Sequence, residues 1–279
     1  MATMDAYFAA YKAVLGKWPV PVEALDVRSA YGTTRVHASG PSDGRPLVLL
    51  HGGGATSTVW YATVADLTRH HRVYAIDTIG DVGRTVNDGT PVTTTDHLMD
   101  WLDGVFTELR VDGAALAGHS YGGWIALAYA LHAPERVGRL VLLDPTDCFA
   151  GLALGYKARA LPFLLKPSAA RLRALITWES GGKHIDPEWL DLMCRGAEFP
   201  RGKLVMPRRP DPKALRDMTI PTLVAVAERS RAHDARRVAA TAEALLPKVT
   251  TAVLPGASHH TIPTEQPDVL TGAMLPFLA

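Results

Sequence analysis

A serine, two adjacent histidines and a scatter of carboxylates are the groups in this chain whose types and spacing suit an acyl transfer. Ser120 stands in Ala117-Gly118-His119-Ser120-Tyr121-Gly122-Gly123, after the apolar run Ala114-Ala115-Leu116 and before Trp124-Ile125-Ala126-Leu127-Ala128-Tyr129-Ala130. A strand that stops at a serine and turns at once into a helix is a nucleophile elbow. The turn strains the serine backbone, and Gly118 and Gly122, lacking Cβ atoms, let strand and helix approach closely. The hydroxyl then stands at the positive end of the helix. Near the C-terminus, Leu254-Pro255-Gly256-Ala257-Ser258-His259-His260 offers a histidine able to take the serine's proton. Side chains of neighbours diverge, so one of the pair faces the serine. The spacing after Pro255-Gly256 favours His259, with His260 as the alternative base. In His51-Gly52-Gly53-Gly54, glycines leave backbone N–H groups free to face an oxyanion. Gly53 and Tyr121 are the expected pair of donors. The same loop taken alone also suits a phosphate cradle, although the Gly-Lys-Ser/Thr of a Walker loop does not follow.

The elements that must position these groups are legible as alternating runs. Pro46–Leu50, Arg72–Ile76, Ala114–Leu116, Leu140–Leu143, Thr222–Val226 and Thr251–Leu254 are continuous apolar runs, as in strands buried on both faces of a parallel sheet. Helical segments at Val59–His70, His97–Leu109, Trp124–His132 and Asp234–Leu246 separate most of them. Leu25–Tyr31 and Thr33–Ala38 read as a hairpin at a sheet edge. The expectation is an α/β fold with an eight-stranded, mostly parallel sheet and helices on both faces. The long interval after the sixth strand reads as a helical cap. The expected organisation is an N-terminal helix over 1–22, a core over 23–147 and 220–279, and the cap over 148–219.

Strand–His-Gly-Gly-Gly, strand–Gly-His-Ser-Tyr-Gly-Gly, cap, strand and Gly-Ala-Ser-His, in that order, resemble the α/β-hydrolase superfamily in its lipase/esterase-like branch. The likeness runs from about Leu25 to the C-terminus and includes Asp77-Thr78-Ile79-Gly80-Asp81-Val82-Gly83-Arg84, similar to the family's Asp-x-x-Gly-x-Gly loop. The resemblance implies a triad, and here the chain departs from the pattern. The family's acid follows the seventh strand in Gly-Glu-x-Asp, whereas this chain reads Ala227-Glu228-Arg229-Ser230. Asp234 is the first choice for the acid, with Asp144, Asp147 and Glu228 as alternatives. Relatives with an aspartate nucleophile (epoxide hydrolases, haloalkane dehalogenases) or a cysteine one (dienelactone hydrolases) are excluded by Ser120.

Composition bounds the rest. A chain of 279 residues, 47% hydrophobic, can bury a large core, and a net charge of +1 gives no sign of a nucleic-acid partner. Cys148 and Cys194 are too few for a disulfide framework, and no spacing suggests a metal site. No cofactor is expected, and the oligomeric state is left open. No secretory signal or membrane span is apparent, so the expected location is the cytoplasm, with no membrane partner. Between Cys148 and Thr219 there are 13 Lys/Arg against 7 Asp/Glu, which could draw an anionic or oxygenated small molecule or simply be solvated. Gly54, Trp60 and Trp124 adjoin the motifs and are the expected pocket residues. The leading function is a serine hydrolase cleaving an ester, lactone or thioester through an acyl-enzyme on Ser120. The alternatives are lyase, C–C hydrolase or perhydrolase chemistry on the same triad, or a non-catalytic small-molecule receptor.

Overall fold

A computed structural model describes residues 2–200 and 202–279. Eight strands form one sheet: β1 (Glu23–Ser29), β2 (Gly32–Ser39), β3 (Arg45–Leu50), β4 (His71–Ile76), β5 (Ala114–His119), β6 (Val137–Leu143), β7 (Thr222–Ala227) and β8 (Val249–Leu254). Their spatial order is β1-β2-β4-β3-β5-β6-β7-β8. β1 and β2 pair antiparallel, as do β2 and β4, and every later pairing is parallel. The expected eight-stranded, mostly parallel sheet is therefore observed.

The apolar runs become strands because both faces of this sheet are covered. Val48, Leu50, Leu116, Leu140, Leu142, Val224 and Val226 pack on one face, against the helices Thr95–Leu109, Tyr121–His132 and Ala235–Leu245. The residues between them, Leu47, Leu49, Ala117, Val141, Leu143, Leu223 and Ala225, pack on the other. This two-residue alternation is the strand period, with apolar side chains at both phases. The second face is closed by the C-terminal helix Pro267–Leu278 and by residues of the segment between β6 and β7. That segment carries the helices Leu154–Leu165, Ala169–Glu179, Pro187–Gly196 and Pro212–Asp217. The N-terminal helix Ala2–Leu15 is fixed by Tyr11, whose hydroxyl donates to Asp77 at 2.8 Å. Asp77 also accepts from the Ser57 N–H and hydroxyl and from the Arg84 N–H, so the Asp77–Arg84 loop is held by one buried carboxylate. Both cysteines are free and buried.

β5 lies between β3 and β6 in the middle of the sheet. The loops after β3, β5, β6, β7 and β8 thus emerge side by side at the carboxyl ends of parallel strands, the usual place for a site in such sheets.

Candidate active site

Ser120 follows β5 with φ 53° and ψ −114°, a strained conformation for a residue with a Cβ. The strain is held from both sides. The Ser120 N–H donates to the Leu143 carbonyl, and the Trp124 and Thr146 N–H groups donate to the Ser120 carbonyl. The glycines make the turn possible: a Cβ on Gly118 would lie 2.1 Å from the Gly122 carbonyl oxygen, and one on Gly122 would lie 2.5 Å from those of Leu50 and His51.

Two polar side chains reach the Ser120 hydroxyl. His259 Nε2 is 2.8 Å from Oγ, placed to receive its proton, and Thr146 Oγ1 is 3.0 Å away. On the far edge of the ring, His259 Nδ1–H donates to Asp144 Oδ2 at 2.6 Å. This fixes the tautomer with Nε2 as acceptor toward Ser120. Asp144 is fully buried just beyond β6 and takes φ 44°. Its Oδ1 accepts from the Ala227 N–H (3.0 Å) and its Oδ2 from the Ser230 hydroxyl (2.8 Å). The buried His233 brings Nε2 to 2.8 Å from Oδ1. Burial would raise the Asp144 carboxyl, but the adjoining imidazoles of His233 and His259 hold it well below its ordinary range. Burial likewise pulls His259 down. The Asp144 hydrogen bond and charge, with the Glu179 charge behind them, overcome this and raise the imidazole above its ordinary value.

The carboxylate that reaches His259 therefore lies beyond a different strand than the expected one. Asp234 does not reach His259. Its carboxylate caps the helix Ala235–Leu245, accepting from the Arg237 N–H at 3.2 Å. An aspartate immediately before a helix satisfies its first free N–H groups, and that role holds it at the helix end. Glu228 is also engaged elsewhere, accepting from the Gly256 N–H at 2.7 Å. Asp147, at φ 53°, makes no hydrogen bond to His259 among the described residues. His260 makes no hydrogen bond to Ser120 among the described residues; its Nε2 lies 3.0 Å from the Tyr156 hydroxyl, and burial together with repulsion from His259 lowers it to about 4.

The backbone N–H groups of Gly53 and Tyr121 are taken by no hydrogen bond among the described residues. Tyr121 opens the helix Tyr121–His132, and Gly53 faces its Cβ. Gly54 differs, because its N–H donates to Asp81 at 2.8 Å, which orients the loop. His51 is a strut, with Nδ1–H donating to the Gly52 carbonyl and Nε2 accepting from the Thr78 N–H.

A chamber of about 180 Å³ opens on Ser120, His259, Gly53 and Thr146. Its apolar wall is Ala55, Val59, Leu152, Trp189 and Met193, with Tyr121 and Tyr156 beside them. Of the three expected pocket residues, none lines it. Trp60 and Trp124 are buried in the two cores, Trp124 donating to the Arg208 carbonyl, and Gly54 is held by Asp81. Chain proximity put those aromatics near the motifs, but a helix of 3.6 residues per turn sends Trp124 to the core side.

Three further residues join the site without a sequence signal of their own. His119 Nε2–H donates to the His259 carbonyl at 2.7 Å, and burial lowers this imidazole to about 3. Glu179, the last residue of its helix in the insertion, is buried and accepts from the N–H groups of Arg231 (3.2 Å), His259 (2.9 Å) and His260 (3.1 Å). One carboxylate thus ties the loop after β7 to the loop after β8. Burial would raise Glu179, yet the imidazoles of His260 and His259 and the two N–H donors of that pair keep it lowered. His233 completes the group. The ligand atoms of Asp144, His233 and His259 lie within 4.8 Å of one another, so the trio also has metal-ligand spacing. Asp144 is already occupied by hydrogen bonds from Ala227, Ser230 and His259, which is the arrangement of an orienting acid.

A family model described as the alpha/beta hydrolase family matches residues 47–273. The chain belongs to the alpha/beta hydrolase family. Among its relatives, this hydrolase is 28% identical to a Bacillus subtilis protein named uncharacterized carboxylesterase nap, over 97% of this chain and 91% of that one. It is also 28% identical to the Bacillus subtilis carboxylesterase YbfK, over 98% of this chain and 93% of that one. The crystal structure of naproxen esterase from Bacillus subtilis superposes with a TM-score of 0.93 at 26% identity, covering 100% of this chain and 99% of that one. The crystal structure of carboxylesterase CesB (YbfK) from the same organism gives 0.92 at 27% identity, covering 100% and 99%. Within this fold the carboxylate hydrogen-bonded to His259 is Asp144, just beyond β6.

Proposed function

We propose that this hydrolase cleaves carboxylic esters through an acyl-enzyme on Ser120. The carrying observation is the continuous line Ser120 Oγ–His259 Nε2 and His259 Nδ1–Asp144 Oδ2, at 2.8 and 2.6 Å. Ester cleavage is also the activity in the names of its near full-length relatives. Ser120 Oγ attacks the ester carbonyl as its proton passes to His259 Nε2. The carbonyl oxygen becomes an oxyanion facing the N–H groups of Gly53 and Tyr121. The tetrahedral intermediate collapses, the C–O bond to the alcohol breaks, and the imidazolium returns the proton to the departing oxygen. Water then attacks the acyl-enzyme, giving its proton to His259, and the carboxylic acid leaves as Ser120 regains its hydrogen. Asp144 orients the imidazole and stabilises its charged form without itself taking the proton.

A serine at 230, where the family pattern places a carboxylate, favours the receptor alternative only if no other carboxylate reaches His259. Asp144 supplies that carboxylate and Ser230 donates to it, so the departure in sequence leaves no gap in charge. The test is a panel of p-nitrophenyl esters together with a fluorophosphonate probe. Ester turnover and labelling at Ser120 are expected, both lost in Ser120→Ala with kcat down by roughly 10⁶-fold. A wild-type protein that the probe does not label defeats the acyl-enzyme reading. Labelling without turnover of any ester points to the lyase, C–C hydrolase or perhydrolase use of the same groups.

A further inference from the structure

The helix Leu154–Leu165 is apolar on two sides, and only one of them is covered. Ala160 is buried and Tyr156 and Phe163 half-buried on its inner side. Leu154, Leu161, Leu164 and Leu165 are 84%, 51%, 67% and 76% exposed. At 100° per residue these four leucines fall within roughly a third of the helix circumference, an arc that also holds the exposed Lys157, so they form one stripe with a cation in it. Single exposed leucines are ordinary on a protein surface, whereas a contiguous stripe marks a surface that meets something apolar.

The charge around the stripe selects the partner. Lys157, Arg159, Lys166, Arg171 and Arg173 lie between Phe149 and Trp178, and no Asp or Glu falls in that interval. Lys157 and Lys166 are exposed on the helix or at its end, and Arg159 spreads over the Trp178 ring at 5.6 Å. A second copy of the chain meeting the same face about a two-fold axis would bring like charges together. An anionic lipid surface supplies both missing parts, hydrocarbon for the leucines and negative headgroups for the cations.

We propose that the outer face of Leu154–Leu165 docks the protein onto an anionic lipid surface, with the helix lying in the plane of the interface. The helix has 12 residues and three cations in or beside it, too short and too charged to span. Among the described residues no helix is long and apolar enough to cross a membrane. This proposal departs from the expectation of no membrane partner. Tyr156, on the inner side of the same helix, lines the Ser120 chamber together with the preceding Leu152. Docking therefore sets the lipid surface against the outer side of the chamber wall. The binding itself does not depend on the reaction proposed above.

The experiment is co-sedimentation of the full chain with vesicles of phosphatidylcholine alone and of phosphatidylcholine mixed with phosphatidylglycerol, at low and high salt. The protein is expected to pellet with the anionic vesicles, to stay in solution with the neutral ones, and to be released by salt. Leu161→Ser/Leu165→Ser should weaken partitioning by roughly tenfold or more. Lys157→Glu/Lys166→Glu should do the same. Both variants should keep the wild-type Tm and the wild-type rate on a soluble p-nitrophenyl ester. Wild-type protein that stays in solution with anionic vesicles overturns the proposal, as does a leucine variant that pellets equally well. A wild-type dimer in sedimentation velocity that the leucine variant dissolves, without vesicle binding, assigns the face to self-association instead.

Discussion

The Ser230 hydroxyl donates to Asp144 Oδ2 at 2.8 Å, across the gap between the loops after β7 and β6. The position that the family pattern gives to the acid thus holds a donor aimed at an acid arriving from the neighbouring strand. Because β6 and β7 are adjacent and parallel, a carboxylate beyond either can meet an imidazole coming from beyond β8. Asp144→Asn should then lower kcat by about 10⁴-fold, since an amide can hold the ring in the wrong tautomer. Asp234→Asn should leave kcat within a few-fold and change stability little, because asparagine is itself a good N-cap. The two kcat values, measured on one ester, decide the assignment. Collapse with Asp234→Asn alone returns the acid to the loop after β7.

Glu179 faces His259 from the insertion, and its effect can be read in a pH profile. The base must be neutral to accept the Ser120 proton, and Asp144 and Glu179 raise it above the ordinary 6.5 despite burial. The acidic limb of kcat/KM should therefore lie above pH 6.5. Glu179→Gln removes one of the two negative charges that favour the imidazolium, so the limb should move to lower pH. Merely loosening the loop after β8 would lower kcat and leave the limb in place. An unmoved limb would mean that Glu179 serves only as a tether.

The sheet was legible because strands buried on both faces need apolar runs, and here these recur at intervals separated by helical segments. The elbow was legible because Gly118 and Gly122 are required by contacts of 2.1 and 2.5 Å that any Cβ would violate. The choice of carboxylate was not legible. Asp144 and Asp234 each adjoin a strand end or a helix start, where aspartate is favoured for local reasons, and only the packing of β6 beside β7 separates them. A helix-capping signal at Asp234 was present in the sequence and carried more information than its distance from the seventh strand. The chamber wall was out of reach for a different reason. Leu152, Tyr156, Trp189 and Met193 come from the insertion, whose placement over the strand ends depends on tertiary contacts that no local period encodes.

His119 should mark the acid stability of the fold. Burial lowers it to about 3 from 6.5, so below pH 6.5 the unfolded chain takes up a proton that the folded one refuses. Stability from this residue is full above pH 6.5 and falls as the pH drops toward 3, by about 1.4 kcal/mol per pH unit. Urea titrations of wild type and His119→Gln across that window test it. Glutamine can still donate to the His259 carbonyl without titrating, so the variant should show a shallower loss of stability on acidification. Equal slopes would mean that the imidazole is not held neutral.

Chamber size should set the range of acyl groups. The space beside Ser120 is about 180 Å³ and its wall of Ala55, Val59, Leu152, Trp189 and Met193 is apolar. An apolar cavity of roughly 150 Å³ in another protein accommodates benzene, so a short aliphatic chain or a single ring is the natural occupant here. Along a series of p-nitrophenyl esters, kcat/KM should rise through the short acyl chains, as each added methylene gains buried surface, and then fall once the wall is met. Met193→Ala enlarges the chamber without touching Ser120, His259 or the free N–H groups, so it should move the optimum to longer chains. Its rate on the acetyl ester should stay within a few-fold of wild type, and a Tm measured alongside separates a change of specificity from lost packing. An optimum that does not move places the acyl group outside this chamber, toward the larger cleft bordered by Tyr121, Leu204 and Val205.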